Sequence, residues 1–273
     1  MKKTYIGSEW DATLNSDVCD PYNNADLEIT LKVGLRQVNP QGGAPTGKYN
    51  DYGKPTKPER KIRKWDKASW SAWTSTFART AERYWNGKFW LLNDDPALDY
   101  IVKGVTYRPN LYCKFKLKVV TSNPHHTIDV VRLDKTETWF GSHSTLYDNL
   151  DTKPVVKGKD SNGKLIMQRA HVHEVGHLLG LGHVDEGKAH CPANNTNAKK
   201  CYGVANVDKL SVMGSGMKLR KEFASPWQNA YHATLIGNWV QLGKETSVEM
   251  RRHYPRTLAE VKAKKKITRR PSR

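Results

Sequence analysis

The chain has 273 residues, room for one generous domain or two lobes, since domains commonly run to about 250 residues. Hydrophobic residues make up 37% and charged residues 26%, with 45 Lys plus Arg against 27 Asp plus Glu, a net charge of +18. That excess favours anionic partners, whether nucleic acid, envelope polymers, lipid head groups or acidic proteins, and no run of about 18 apolar residues exists to span a membrane as a helix.

The N-terminus, Met1-Lys2-Lys3-Thr4-Tyr5-Ile6-Gly7-Ser8-Glu9-Trp10, has the basic start of a signal peptide without its apolar core. Three settings are open: a cytoplasmic protein, an already mature chain, or export by a non-classical route or injection, toward which we lean. Residues 1–25 are polar and are expected to be an irregular N-terminal segment containing Asp17-Val18-Cys19-Asp20-Pro21. The four cysteines, Cys19, Cys113, Cys191 and Cys201, permit three pairings. Cys191 and Cys201 enclose a short polar loop and are the favoured disulfide in an oxidising compartment, with free thiols or a second zinc held by His190, Cys191 and Cys201 as alternatives.

Leu27, Ile29, Leu31, Val33 and Leu35 alternate with Glu28, Thr30, Lys32, Gly34 and Arg36, the period of a half-buried strand. Asn39 to Arg60 carries eight Pro and Gly residues and reads as a long loop. Trp70, Trp73, Phe77, Ala81 and Tyr84 then recur at helical steps behind Asp66 as N-cap, and Asn86-Gly87 closes the helix. Its aromatic face is expected to pack on a sheet. Cys113 to Val119 and Ile128 to Leu133 read as further strands, and Ser161-Asn162-Gly163 as a turn.

Arg169 to His183 is the stretch on which function hangs. His173 and His177 are four residues apart, so on a helix they share one face and can grip one metal ion. Glu174, beside the first of them, can take a proton from water at that metal without being a ligand. Gly180 permits the positive φ that ends a helix, and Leu181-Gly182 can swing His183 back to the same ion. Three neutral imidazoles with an open position describe a catalytic zinc site rather than a closed structural one. His171 lies on a different helix face, where we expect it to support a ligand or face solvent. Past a polar loop from Val184 to Leu210, Ser225-Pro226-Trp227-Gln228 has the arrangement of a capping box opening a helix to about Gln241. From Arg251 the chain turns basic, and 251–273 is expected to be a solvated tail, with a contact for an anionic surface or an export or packaging address as alternatives.

The motif His173-Glu174-x-x-His177-x-x-Gly180-x-x-His183, followed by Ser211-Val212-Met213-Gly214-Ser215-Gly216, resembles the metzincin clan of zinc metalloendopeptidases and its Met-turn. The resemblance covers two local motifs in the middle of the chain. It implies an α+β fold: a mixed twisted sheet with a backing helix and the active-site helix in an upper lobe (26–183), and a smaller, mostly irregular and helical lower lobe (184–250) whose helix follows the Met-turn. It also implies Zn2+ held by His173, His177 and His183, Glu174 as catalytic base, and Met213 packed beneath the metal. Trp139 to Leu146 would be the edge strand that pairs with substrate backbone, and Cys19 or Asp20 a latency switch occupying the open zinc position. Val184 stands where the astacin-like, serralysin-like, adamalysin and matrixin branches place Glu, Pro, Asp and Ser, and Ser215 where the first two place Tyr, so no subfamily specificity carries over.

The expected function is a monomeric zinc endopeptidase acting on protein or peptide substrates. Two alternatives stand beside it: a basic protein binding an anionic polymer, with a structural or vestigial zinc site, and a hydrolase of peptide crosslinks or non-peptide amides. No nucleic-acid-binding motif of recognisable spacing is present. Neither Tyr231 nor His232 can be placed as the group that stabilises the oxyanion.

Overall fold

The computed structural model describes residues 1–137, 145–236 and 246–268. In chain order, β1 (Lys2–Ile6), β2 (Asp11–Asn15), β3 (Ala25–Val38), β4 (Thr46–Asn50) and β5 (Glu59–Arg63) lead to helix α1 (Lys67–Trp85). Then follow β6 (Phe89–Leu92), β7 (Tyr100–Val102), β8 (Val105–Arg108), β9 (Leu111–Val119), β10 (His126–Val131), β11 (Leu146–Asp148), β12 (Pro154–Lys159) and β13 (Leu165–Arg169), which runs into helix α2 (Ala170–Leu178). The single turn α3 (Asn206–Lys209), α4 (Ser225–Ile236), β14 (Ser247–Glu249), β15 (Arg256–Thr257) and α5 (Leu258–Thr268) complete the chain. The fold is α+β with a mixed sheet. It divides into two compact units: Met1–Thr30, Trp85–Lys116 and Lys221–Arg273 form one, Leu31–Tyr84 and Leu117–Arg220 the other. The segment after His183 stays in the second unit as far as Arg220.

In the first unit the strands run in the order β1-β2-β3-β9-β6-β14. Residues 1–25 are therefore not an irregular segment. β2 pairs antiparallel with both β1 and the start of β3, and its Ala12 and Leu14 are buried while Asp11, Thr13 and Asn15 point the other way, the period-2 pattern of a half-covered strand. Helix α4 packs against β1 and β2. Its Trp227 is fully buried against Phe89 and Phe115, with ring centroids 5.5 and 6.5 Å away, and donates its indole N–H to Lys114 O at 2.7 Å. The capping box expected at Ser225 is absent: Ser225 is already helical, and the Gln228 amide donates to Thr246 O at 2.8 Å instead.

Residues 251–268 are likewise not a free tail. Asn24 and Asn110 donate to the carbonyls of His253 and Tyr254, β15 pairs with β8, and Val261 of α5 is buried. Here a reciprocal capping box does form. Glu260 accepts from the Thr257 backbone N–H at 2.7 Å, and the Thr257 hydroxyl accepts from Glu260 N at 3.3 Å.

In the second unit the later residues of β3 pair in parallel with β10, His126 opposite Val33 through Val131 opposite Val38, and β10 pairs in parallel with β11. The expected edge strand at Trp139 falls mostly outside the described residues; Leu146, its last residue, opens β11. The stretch read as a long loop contains the antiparallel hairpin of β4 and β5. Helix α1 lies on the sheet as its aromatic period predicts. Asp66 caps it, accepting from Ser69 N at 2.8 Å, and the indoles of Trp65 and Trp73 donate to Val130 O and Asp148 O, each at 3.1 Å. Trp73 stacks on Phe77 at 5.3 Å, and Phe77 reaches both Tyr147 of β11 at 5.6 Å and His171 of α2 at 5.7 Å. One column of rings thus fixes α2 against α1 and the sheet.

Candidate metal centre

The hairpin of β12 and β13 delivers the chain into α2. Its turn is built by Asp160, whose carboxylate accepts from Asn162 N and Lys164 N, each at 2.9 Å, with Gly163 at φ +77. α2 then ends in a Schellman motif: Leu181 N donates to Gly176 O at 3.0 Å and Gly180 N to His177 O at 2.8 Å, with Gly180 at φ +90. This sharp stop returns the chain so that His183 faces the helix it has just left.

His173, His177 and His183 converge, their ligand atoms all within 4.8 Å of one another. Nε2 of His177 lies 3.1 Å from that of His173 and 3.2 Å from that of His183. Every Nδ1 is committed to a backbone carbonyl at 2.7 Å: His173 donates to Val212 O, His177 to Leu181 O and His183 to Thr196 O. A carbonyl only accepts, so each Nδ1 carries the proton and each neutral ring turns a bare Nε2 lone pair inward. Three acceptors cannot satisfy one another, whereas a cation satisfies all three. Tetrahedral ligands about 2.0–2.1 Å from a zinc ion stand about 3.3 Å apart, close to the two separations measured from His177. Burial first, and the neighbouring imidazoles second, hold His173 well below the usual histidine range and His177 down to about 4, so the rings are neutral and ready to ligate at neutral pH. The residues present fit a metal ion.

Glu174 is nearly buried, and it lines with His177, His183, Glu186, Thr196 and Tyr202 a cavity of about 460 Å³. Burial, then the negative charge of Asp151, pushes its carboxyl up to about 8. A divalent ion at the histidines opposes both effects.

The turn from Ser211 to Gly216 closes the other side. Val212 O orients His173, and Val184 N, directly after His183, donates to Met213 O at 3.0 Å, so the turn is bonded to the chain at two of the three histidines. Met213 is fully buried. A Cβ on Gly214 would collide with the carbonyls of Asp208 and Tyr202, and one on Gly216 with that of Leu210. Sequence reasoning missed Gln168, a buried residue of β13. Its amide nitrogen donates among Gly214 O at 2.9 Å and Val212 O and Gly216 O at 3.2 Å, pinning the turn to the strand that precedes α2.

The loop after His183 contains the Cys191–Cys201 disulfide, and this pairing removes the alternative second zinc. His190 binds Asp185 at 2.8 Å instead. Tyr202, next to the disulfide, was also missed. Its ring centroid lies 3.9 Å from that of His183 and 5.8 Å from that of His173. Burial, then Glu174, pushes its phenol up to about 12, keeping it protonated.

His171 is neither ligand nor surface: it is fully buried, with Nδ1 3.0 Å from Asp151 O and Nε2 2.6 Å from the Thr80 hydroxyl. Cys19 and Asp20 belong to the first unit. Burial pushes the Cys19 thiol up to about 11, against the thiolate a metal needs, and the Asp20 carboxylate accepts from Tyr22 N at 2.7 Å and the Asn23 amide at 2.5 Å. Tyr231, which donates to Asn93 at 3.3 Å, and His232 are likewise in the first unit. Among the described residues no helix is long and apolar enough to cross a membrane. No family model, curated protein or solved structure matches the chain, so the chemistry of this site is argued from its own geometry.

Proposed function

We propose that the chain is a zinc-dependent endopeptidase with a metzincin-like catalytic arrangement. The observation that carries this reading is the convergence of three Nε2 lone pairs, each fixed by a carbonyl on its far nitrogen, beside a carboxylate in one cavity. All-imidazole ligation suits zinc, and a three-ligand set leaves the position that catalysis needs. His173, His177 and His183 would hold the ion, which when bound supplies Lewis acidity, acidifying water and polarising the scissile carbonyl.

Glu174 takes a proton from the attacking water as its oxygen bonds to the carbonyl carbon and the C=O π pair moves onto oxygen. As the C–N bond breaks and the C=O re-forms, Glu174 returns that proton to the leaving amine. Because Glu174 follows His173 directly on α2, the geometry that fixes the ligand also fixes the base.

The net charge of +18 favours a second reading, a basic protein that binds an anionic polymer around a structural metal. Casein or peptide cleavage that a zinc chelator stops and added zinc restores supports the first reading. Metal retention with tight, salt-sensitive polymer binding and no cleavage supports the second.

A further inference from the structure

The oxygen that gains charge during hydrolysis needs a hydrogen-bond donor besides the metal. Tyr202 meets three requirements for that donor. It lines the same cavity as Glu174, His177 and His183. Its ring packs directly on the imidazole of His183, ring centroids 3.9 Å apart. Its hydroxyl has no hydrogen-bond partner among the described residues. Tyr147 is fully buried and cannot touch a substrate, and Tyr52 does not line the cavity.

The local chain holds Tyr202 there. Cys201 is joined to Cys191 and donates its backbone N–H to Ala198 O at 2.8 Å, while Asp185 N donates to Cys201 O at 3.0 Å. The same closed loop contains Thr196, whose carbonyl orients His183. One disulfide-bonded loop therefore contributes both the carbonyl that orients the third histidine and the tyrosine packed on its ring.

Resting on the endopeptidase reading, we propose that Tyr202, clamped on His183 by the Cys191–Cys201 loop, is a catalytic residue whose O–H donates a hydrogen bond to the substrate carbonyl oxygen as it becomes an oxyanion. The phenol keeps its proton throughout. The test is Tyr202→Phe, which keeps the ring packed on His183 and removes only the donor. Its kcat should fall about 100-fold, with KM within about twofold, because the bond strengthens only as charge develops. The phosphinic analogue of the best-cleaved peptide, which mimics the tetrahedral state, should bind more weakly by a similar factor, while zinc affinity measured against a competing chelator stays at the wild-type value. The Cys191→Ser/Cys201→Ser variant should lose kcat toward the Tyr202→Phe level. Wild-type kcat in Tyr202→Phe, or a loss of kcat matched by loss of zinc, overturns the role. A zinc-loaded wild type that cleaves nothing sinks the endopeptidase reading and this role together, whereas a cleaving wild type equalled by Tyr202→Phe sinks this role alone.

Discussion

Replacing Gln168 by Leu tests how the metal ligands are held. The amide supplies two N–H donors to a cage of three carbonyls, Val212, Gly214 and Gly216, at 2.9 to 3.2 Å. Leucine fills a similar volume with no donor. Val212 O keeps its bond from His173, but the other two carbonyls lose this donor in a buried setting, at roughly 1–3 kcal/mol each. We therefore expect the metal-free protein to lose about 2–6 kcal/mol, read from urea unfolding monitored by tryptophan fluorescence. Zinc affinity, measured by competition with a chromophoric chelator, should fall about 10- to 100-fold, the usual effect of losing a group that orients a ligand. Gln168→Glu should be worse than Gln168→Leu, since a carboxylate would face the same carbonyls. Wild-type stability together with wild-type zinc affinity in Gln168→Leu would show that the turn holds His173 by other means.

Acid should destabilise the metal-free protein. His171 and His177 both sit near 4 in the fold, below the ordinary 6.5, chiefly because they are buried. The unfolded chain therefore takes up protons that the folded chain refuses, and the stability present above about pH 6.5 is lost as pH falls toward 4, by up to roughly 3 kcal/mol per histidine. Urea midpoints in EDTA between pH 7.5 and 4.5 read this out, and a flat profile would refute the buried, neutral assignment. Gly214→Ala should cost about 3 kcal/mol or more, because the new methyl group meets the carbonyls of Asp208 and Tyr202; an unchanged melting temperature would contradict that packing. Thr257→Val should shorten α5 by removing half of its capping box, costing about 1 kcal/mol, with retention of full stability as the contrary result.

The parts of the site that sequence made legible are those written in local spacing. His173, His177 and His183 recur at steps that a helix and a glycine stop convert directly into convergence, and the aromatic steps of α1 forecast its packing for the same reason. What was hidden depends on backbone groups and on chain segments far apart. Val212 O and Thr196 O orient two of the ligands, yet a carbonyl has no signature in residue type. Gln168 looks like any strand glutamine until the turn from Ser211 to Gly216 is folded over it.

Other misses had a signal that was overridden. Ala12 and Leu14 alternate with polar neighbours, but only five residues of β2 do so, inside a polar N-terminus. Thr257-x-x-Glu260 is a capping box hidden in a basic run, while the similar pattern at Ser225 failed because the chain is already helical there and Gln228 is engaged by Thr246.

The central claim is that Glu174 moves the proton in a metal-assisted hydrolysis. Its most direct test is an unbiased peptide library incubated with zinc-loaded wild type and with Glu174→Gln, zinc content being measured on the same samples. Cleavage by the wild type, a loss of about 100- to 10,000-fold in the variant, and about one zinc per chain in both is the predicted result. Full cleavage by zinc-loaded Glu174→Gln, or no cleavage by a zinc-loaded wild type, would contradict it.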